Sequence, residues 1–385
     1  MNQAVAFIAD PHIGNFKQWP GKTVGGLNER CRHSLEAFRR ALKITKEHGA
    51  TPIVLGDLFH TEKPEPQVIA ATQDVIHEQQ LPHVLVMKGN HDSVSDEKGD
   101  HALGPLRCVA EIVDQPNVFR RGHTVAAAPF RRGNPKEWLP GVLETLRSES
   151  QLLWNAGGDR ILTLHAGIWG DDFPAHLKAA DASIHFRDLI KICQRFEIKY
   201  AFAGHWHWTE QFFLSEKEIK SPKDDVMVVQ VGTICPSRFS DADGQMVILG
   251  GEEKPTITAV EVPGPLFFTV NSLEDLGKIA GNPTECPVYV KAEVSLEELN
   301  PARERLRAME KEALIRGWTA MANRKAAETA RQEAVKAVRS RPALEALPEY
   351  VAKRAAAGDL PEGIKSEEVV KRAQGYIEKH AEVPE

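Results

Sequence analysis

Residues 84–92 read VLVMKGNHD: four apolar residues in a row, then Lys88, Gly89 and the three polar side chains of Asn90, His91 and Asp92. A run this short, apolar on both alternating faces, is the pattern of an interior strand covered on both sides. Four other stretches repeat it. Residues 4–9 (AVAFIA) lead to Asp10, Pro11 and His12; residues 52–55 (PIVL) lead to Gly56 and Asp57. Residues 161–164 (ILTL) lead to His165, and residues 200–203 (YAFA) to Gly204, His205, Trp206 and His207. Helical patterns lie between. Residues 34–47 place Leu35, Phe38, Leu42 and Thr45 on one stripe and stop before Gly49, a suitable residue just past a helix end. Residues 66–80 open on Pro66 and carry Ile69, Ala70, Val75 and Ile76. Strand and helix in alternation predict an α/β sandwich.

Ligands of open α/β sheets bind beyond the carboxyl ends of the strands. Here five such ends deliver Asp, Asn and His. With this chain's Asp and His content an Asp-x-His is expected ~0.7 times by chance, so Asp10 and His12 alone say little. GNH and GHxH are expected only ~0.03 and ~0.04 times, and both stand at strand ends. A single histidine beneath an apolar strand is ordinarily a satisfied core or capping residue. A whole set is different, because burying so many ionisable groups without a cation is costly. Asp10, His12, Asp57, Asn90, His165, His205 and His207 make seven nitrogen or oxygen donors and no thiolate, more than one tetrahedral zinc uses. Two adjacent cations sharing a carboxylate account for them, and Asp57 on the middle strand is the natural bridge.

The order DxH, GD, GNHD, H, GHxH resembles the calcineurin-like metallophosphoesterase superfamily, and DPHIG, GDLFH and GNHDS resemble its DNA-repair nuclease branch, the SbcD-type exonucleases. The resemblance covers about residues 1–262. It implies a four-layer αββα metallophosphoesterase sandwich with a small α+β cap and a helical C-terminal tail. In that pattern Asp10, His12, Asp57 and His207 hold one metal, and Asp57, Asn90, His165 and His205 the other. His91 contacts the scissile phosphate and assists protonation of the leaving group, with Asp92 orienting it. The implied cofactor is two divalent metal ions, manganese by family habit; a site of carboxylate, amide and imidazole also accepts iron or zinc.

The remaining sequence changes character twice. Residues 226–231, 246–249 and 256–262 read as strands without helices between them, and residues 266–294 as strand, helix, strand. From Leu299 the chain is rich in Ala, Glu, Lys and Arg; residues 303–340 read as predominantly helical with one Gly317, and Pro342 and Pro348 interrupt the pattern. Residues 366–380 read as an amphipathic helix with Ser366 as cap. The division expected is a catalytic domain at 1–262, a small capping, DNA-recognition domain at 263–300 and a helical tail at 301–385.

Composition excludes several classes. The chain has 385 residues, 42 % hydrophobic and 26 % charged, with a formal net charge of −6, so it is not a basic nucleic-acid coat. Residues 303–341 nevertheless carry 11 Lys and Arg against 5 Glu, a basic segment that could track a phosphate backbone. Arg120–Arg121 and Arg131–Arg132 read as a strand edge and a solvated loop, and Trp169, Trp206 and Trp208 as packing at the rim of the site. Five scattered cysteines with no CxxC pair argue against a disulfide framework or zinc ribbon. The N-terminus has neither a basic leader nor an apolar span, so a cytoplasmic protein without membrane association is expected.

The resulting expectation is a two-metal DNA nuclease, a 3′-to-5′ exonuclease and single-strand endonuclease of repair or recombination. Its partners would be DNA, an SbcC-like coiled-coil ATPase docked through the C-terminal helices, and a second copy in a homodimer. The alternative is a stand-alone metallophosphoesterase for small phosphodiesters or phosphoproteins. A non-catalytic scaffold on the same fold predicts lost ligands, and none is missing.

Overall fold

Phe7 and Phe202 stack with ring centroids 3.7 Å apart and planes 13° from parallel, and this contact joins two sheets. The computed structural model describes residues 4–95, 100–173, 182–214, 225–241, 243–251, 255–280, 286–323, 343–356 and 366–380. The first sheet runs in the order β14 (Thr256–Glu261), β13 (Gln245–Gly250), β1 (Val5–Ile8), β2 (Thr51–Val54), β3 (Leu85–Met87), β4 (Glu111–Val113). The second runs β11 (Glu210–Phe212), β12 (Met227–Gln230), β10 (Tyr200–Gly204), β7 (Arg160–His165), β6 (His123–Ala128), β5 (Asn117–Arg121). Strands β1 to β4 are parallel, as are β12, β10, β7 and β6; antiparallel strands occur only toward the edges. All five apolar runs are interior strands, as their two-faced pattern requires.

Strand alternation then builds four layers. Val5, Phe7, Ile53, Leu55, Leu85 and Met87 meet Ile161, Tyr200, Phe202 and Val229 between the sheets. The alternate residues Ala6, Ile8, Val54 and Val86 pack beneath α1 (Glu29–Glu47) and α2 (Pro66–Gln79). On the far side Leu162, Leu164, Ala201 and Ala203 pack beneath α3 (Pro135–Glu149), the single turn α4 (Gln151–Trp154) and α5 (Phe186–Arg195). The result is the αββα sandwich expected from the motifs. A two-stranded piece, β8 (Gly167–Trp169) and β9 (Ser183–His185), follows β7.

The last third carries its own sheet, parallel β15 (Leu266–Val270), β16 (Val288–Val294) and β17 (Gly317–Ala322). Helices α6 (Leu273–Ala280) and α7 (Leu299–Lys311) cover one face through Leu276, Ala302, Leu306 and Met309. Beyond them lie α8 (Ala343–Ala356) and α9 (Ser366–His380), which pack on each other.

Two elements differ from the sequence reading. Helix α1 begins at Glu29 rather than Ser34, because the Asn28 side chain accepts the Cys31 N–H at 2.9 Å and caps an earlier turn. The helical reading of residues 303–340 fails after Lys311. Ala313 turns into the left-handed region at φ 60°, and residues 317–322 pair with β16 instead. Ladder pairing there outweighs the helix preference of an Ala-rich stretch. Residues 324–342, which hold the rest of the basic segment, and residues 215–224 of the long connection before β12 lie outside the described residues. Among the described residues no helix is long and apolar enough to cross a membrane.

Replacing Phe7 by Ala removes a fully buried ring from the intersheet layer. The variant is expected to lose about 3–5 kcal/mol of stability, read as a lower urea midpoint at unchanged slope. A loss below ~1 kcal/mol would show that this stack does not hold the sheets together.

Candidate metal centre

The loops after β1 and β2 continue the sheet beyond its regular end. His12 N–H donates to Asp57 O at 3.0 Å and Ile13 N–H to Leu58 O at 2.8 Å, which locks the two Asp-bearing turns side by side. Four of the expected ligand positions take positive φ without being glycine: Asp10 (51°), His12 (45°), Asp57 (50°) and His205 (94°). Each such conformation costs of order 1–3 kcal/mol and persists only where its surroundings impose it. Two glycines make the approach possible. A β-carbon at Gly56 would strike the His165 ring, and one at Gly89 would strike the amide and carboxylate of Asp57. The glycine before Asp57 and the one before Asn90 are therefore packing requirements of the site.

All seven expected donors come together. Asp10, His12 and His207 form one cluster and Asp57, His165 and His205 a second. Asn90 Oδ1 lies 2.9 Å from His165 Nε2 and 2.8 Å from His205 Nδ1, so it belongs to the second. Asp57 reaches both: Oδ2 is 3.8 Å from His12 Nε2 and Oδ1 is 3.5 Å from His165 Nε2.

Donor chemistry tests whether cations fit. His165 Nδ1–H donates to Leu55 O at 2.7 Å, which aims Nε2 at the oxygens of Asn90 and Asp57. His207 Nδ1 pairs with Asp241 Oδ1 at 3.1 Å, which turns its Nε2 to within 3.0 Å of His12 Nε2. In both cases a carbonyl or carboxylate fixes the tautomer from behind, the usual support of a metal-ligating histidine. Nitrogen and oxygen donors thus converge on two points from several strands, which is the arrangement a pair of divalent cations satisfies.

Electrostatics agree. Burial pushes the Asp10 carboxyl up to about 7, against the pull of His165 and His207. Burial also opposes the charge of Asp57, but His165, His12 and His91 outweigh it and hold this carboxyl well below the usual range. His165 is the counterpart: burial disfavours its cation, yet Asp57 raises it to about 9. Burial and the neighbouring His165 drive His205 down to about 3, and burial drives His12 well below the ordinary histidine range. With protein charges alone, the two carboxylates cannot both ionise comfortably; positive charge between them would relieve this.

His91 lies at the edge of the centre. Its Nδ1 bonds to His60 O at 2.9 Å, and His12, His60 and His91 place ring nitrogens within 4.8 Å of one another. Asp92 does not orient His91. Its carboxylate instead accepts the backbone N–H groups of Leu58 (3.3 Å), Phe59 (2.9 Å) and Gly89 (3.0 Å), stapling the loop after β2 to the loop after β3. The reason is depth: Asp92 is fully buried, with orphan amides of both loops around it, while His91 is only partly buried.

Sequence reading missed four contributors. His60 stands three residues after Asp57 and is visible in GDLFH once the loop is known. Gln230 Nε2 donates to the carbonyls of Ala203, Gly204 and Trp206 at 3.1–3.2 Å and braces the turn carrying His205 and His207. Thr233 Oγ1 donates to Asp10 O at 2.8 Å. Asp241 had no motif to announce it. The tryptophans behave as packing: Trp206 is buried against Trp208 (4.8 Å) and Phe173 (5.9 Å), and Trp169 lies against His185 (4.4 Å). Arg121 pairs with Glu111 at 2.7 Å on an edge strand, and Arg131 and Arg132 are exposed in a loop.

Comparison with known proteins adds a family. The family model described as calcineurin-like phosphoesterase matches residues 4–209, which include every expected ligand. No curated protein matches the chain. Among solved structures, purple acid phosphatase PPD1 from yellow lupin (Lupinus luteus) seeds is similar at 14 % identity and TM-score 0.42, over 68 % of this chain and 51 % of that one. The chain thus spans about half the length of the lupin protein. A dimetal phosphatase from Danio rerio is similar at 10 % identity and TM-score 0.41, over 68 % of this chain and 99 % of that one.

A divalent cation at a hundred times its Kd is expected to stabilise the protein by about 2.7 kcal/mol per site, read as a rise in Tm that a chelator reverses. Asp57→Ala, which removes the shared carboxylate, should abolish that rise. An equal rise in the variant would overturn the shared-ligand geometry.

Proposed function

The chain belongs to the calcineurin-like phosphoesterase family, and on that premise we propose that it is a two-cation phosphodiesterase acting on DNA. The observation that carries the reading is Asp57, with one carboxylate oxygen toward each donor cluster. Asp10, His12, Asp57 and His207 would hold one cation, and Asp57, Asn90, His165 and His205 the other. A pair of divalent ions supplies Lewis-acid charge on a phosphoryl oxygen and a nucleophile at neutral pH. The absence of thiolate and the mix of carboxylate, amide and imidazole suit manganese.

The residues of the chain do the remaining work. The clustered donors fix where the phosphorus must sit, so positioning is supplied by the fold before any substrate arrives. His91 is held through Nδ1 by the His60 carbonyl, which leaves Nε2 to face a phosphate oxygen and hold the proton that the departing alcohol needs. Asp92 keeps the two loops in register so that Asn90 and His91 stay beside Asp57.

DNA as substrate is supported by the GDLFH and GNHDS loops, which resemble the SbcD-type nuclease branch, and by the small three-stranded unit that follows the sandwich. In that reading the enzyme is a 3′-to-5′ exonuclease with single-strand endonuclease activity in repair or recombination, and α8 and α9 dock an SbcC-like ATPase. The stand-alone phosphoesterase remains the second reading, favoured by the family match lying wholly within the catalytic unit.

End-labelled duplex DNA incubated with Mn²⁺ separates the two. Shortening of the labelled strand is expected, and His91→Ala should slow it by roughly 10²–10⁴-fold while the fold is kept. Turnover of bis(p-nitrophenyl) phosphate with intact DNA would select the stand-alone enzyme. Wild-type rates from Asp57→Ala would sink both.

A further inference from the structure

Arg30 is only 4 % exposed although it carries a full charge. It stands in the first turn of α1, and its guanidinium touches three parts of the molecule. Nη2 donates to Ser237 O at 2.9 Å and Nη1 to Gln18 O at 3.4 Å. Its plane lies over the rings of Phe16 (4.3 Å), Phe267 (5.2 Å) and Tyr289 (5.2 Å), the last two from β15 and β16 of the small sheet. Trp19 strengthens the same seam: its indole N–H donates to Trp318 O on β17 at 3.2 Å, and its ring packs on Phe239 and Tyr289.

On the other side of Arg30 a short loop turns around one carboxylate. Asp241 Oδ2 accepts from Ser237 N–H (2.7 Å), Ser237 O–H (3.1 Å) and Arg238 N–H (2.9 Å). Its second oxygen, Oδ1, holds His207 Nδ1 at 3.1 Å. One oxygen thus shapes the loop and the other sets the tautomer of the histidine. The contacts run without a gap from Tyr289 and Phe267, through Arg30 and Ser237, to Asp241 and His207.

We propose that Asp241 is the positioning residue for His207 and that Arg30 ties its loop to the small three-stranded unit, so that the seating of this unit sets the first cation site. The inference rests on the two-cation reading above. Its chemistry is specific. An amide at position 241 can satisfy the three loop donors only through its oxygen, which turns its NH₂ toward His207 Nδ1. The imidazole proton then moves to Nε2, the atom that must bind the cation. Turning the amide over instead leaves its NH₂ facing three donors. Neither arrangement presents a lone pair at His207 Nε2 with the loop intact.

Calorimetric Mn²⁺ titration of the full chain, with electron paramagnetic resonance to count bound ions, tests this without an activity readout. Wild type is expected to take up two ions. Asp241→Asn should weaken one binding event about 10–100-fold and leave the other unchanged. Asp241→Glu, which keeps the acceptor, should recover most of that loss. Arg30→Lys and the distant Phe267→Ala should weaken the same event by about 2–30-fold, the range of coupling through packed contacts. The metal-free Tm of each variant reports its folding separately, and Arg30→Lys carries the test if Asp241→Asn does not fold. Two unaltered events in Asp241→Asn, or equal weakening of both, would overturn Asp241 as the positioning residue. Wild-type affinity in Phe267→Ala beside a weakened Asp241→Asn would overturn the tie to the small unit. Fewer than two ions on the wild type would instead overturn the two-cation reading itself.

Discussion

Asp57 must present a carboxylate oxygen to each of two histidine clusters while buried at the end of a central strand. Every nearby feature answers to that constraint. The turn carrying it is left-handed, the residue before it has no side chain, and the facing loop also brings a glycine against its amide. An isolated carboxylate there would be driven to its neutral form. It stays ionised because His165, itself locked from behind by the Leu55 carbonyl, shares its field. The charge at the centre is thus held by a histidine that a backbone carbonyl locks in place.

The sandwich exists to support this point. Interior strands of both sheets contribute donors: β1, β2 and β3 from one, β7 and β10 from the other. If the sheets slid relative to one another, the contact of Asp10 with the His205 amide (2.8 Å) and that of His165 with Leu55 would be lost together, since each crosses between sheets. The intersheet layer of Phe7, Phe202, Leu55 and Ile161 therefore sets the precision of the site as well as the stability of the fold. Strain at four donor positions is affordable only on such a rigid base.

The parts legible in the sequence are those where one residue type does one thing locally. Apolar runs of four to six residues with polar ends revealed the interior strands, and GNH and GHxH revealed what stood at them. What escaped depends on distant partners. Asp241 acts on His207 from 34 positions away, and nothing in its neighbourhood of Asp, Ala and Gly marks it as a ligand support. Strand β17 was hidden because Ala-rich sequence prefers helix until β16 offers a ladder. Asp92 stands next to His91 in sequence, whereas burial commits it to three backbone amides. Short-range pattern identifies which residues meet; the second layer, which decides their orientation, is written in the tertiary structure.

Net charge sets a further constraint on the centre. For a chain at −6 to act on a polyanion, as proposed, its attraction would have to be local. The buried carboxylates of Asp10 and Asp57 add to the deficit only while nothing positive lies between them, and two divalent ions would reverse the sign at the one place where a phosphate must dock. The arginines of the β5 edge are spent elsewhere. Arg120 and Arg121 are engaged with their own strand edge and loop, and Arg30 is sealed among aromatic rings. Binding strength and catalytic charge would then come from the same ions. Such a centre would attract phosphate only when it is also assembled to cleave it, and under the proposal above the His207 support would then be a condition for both.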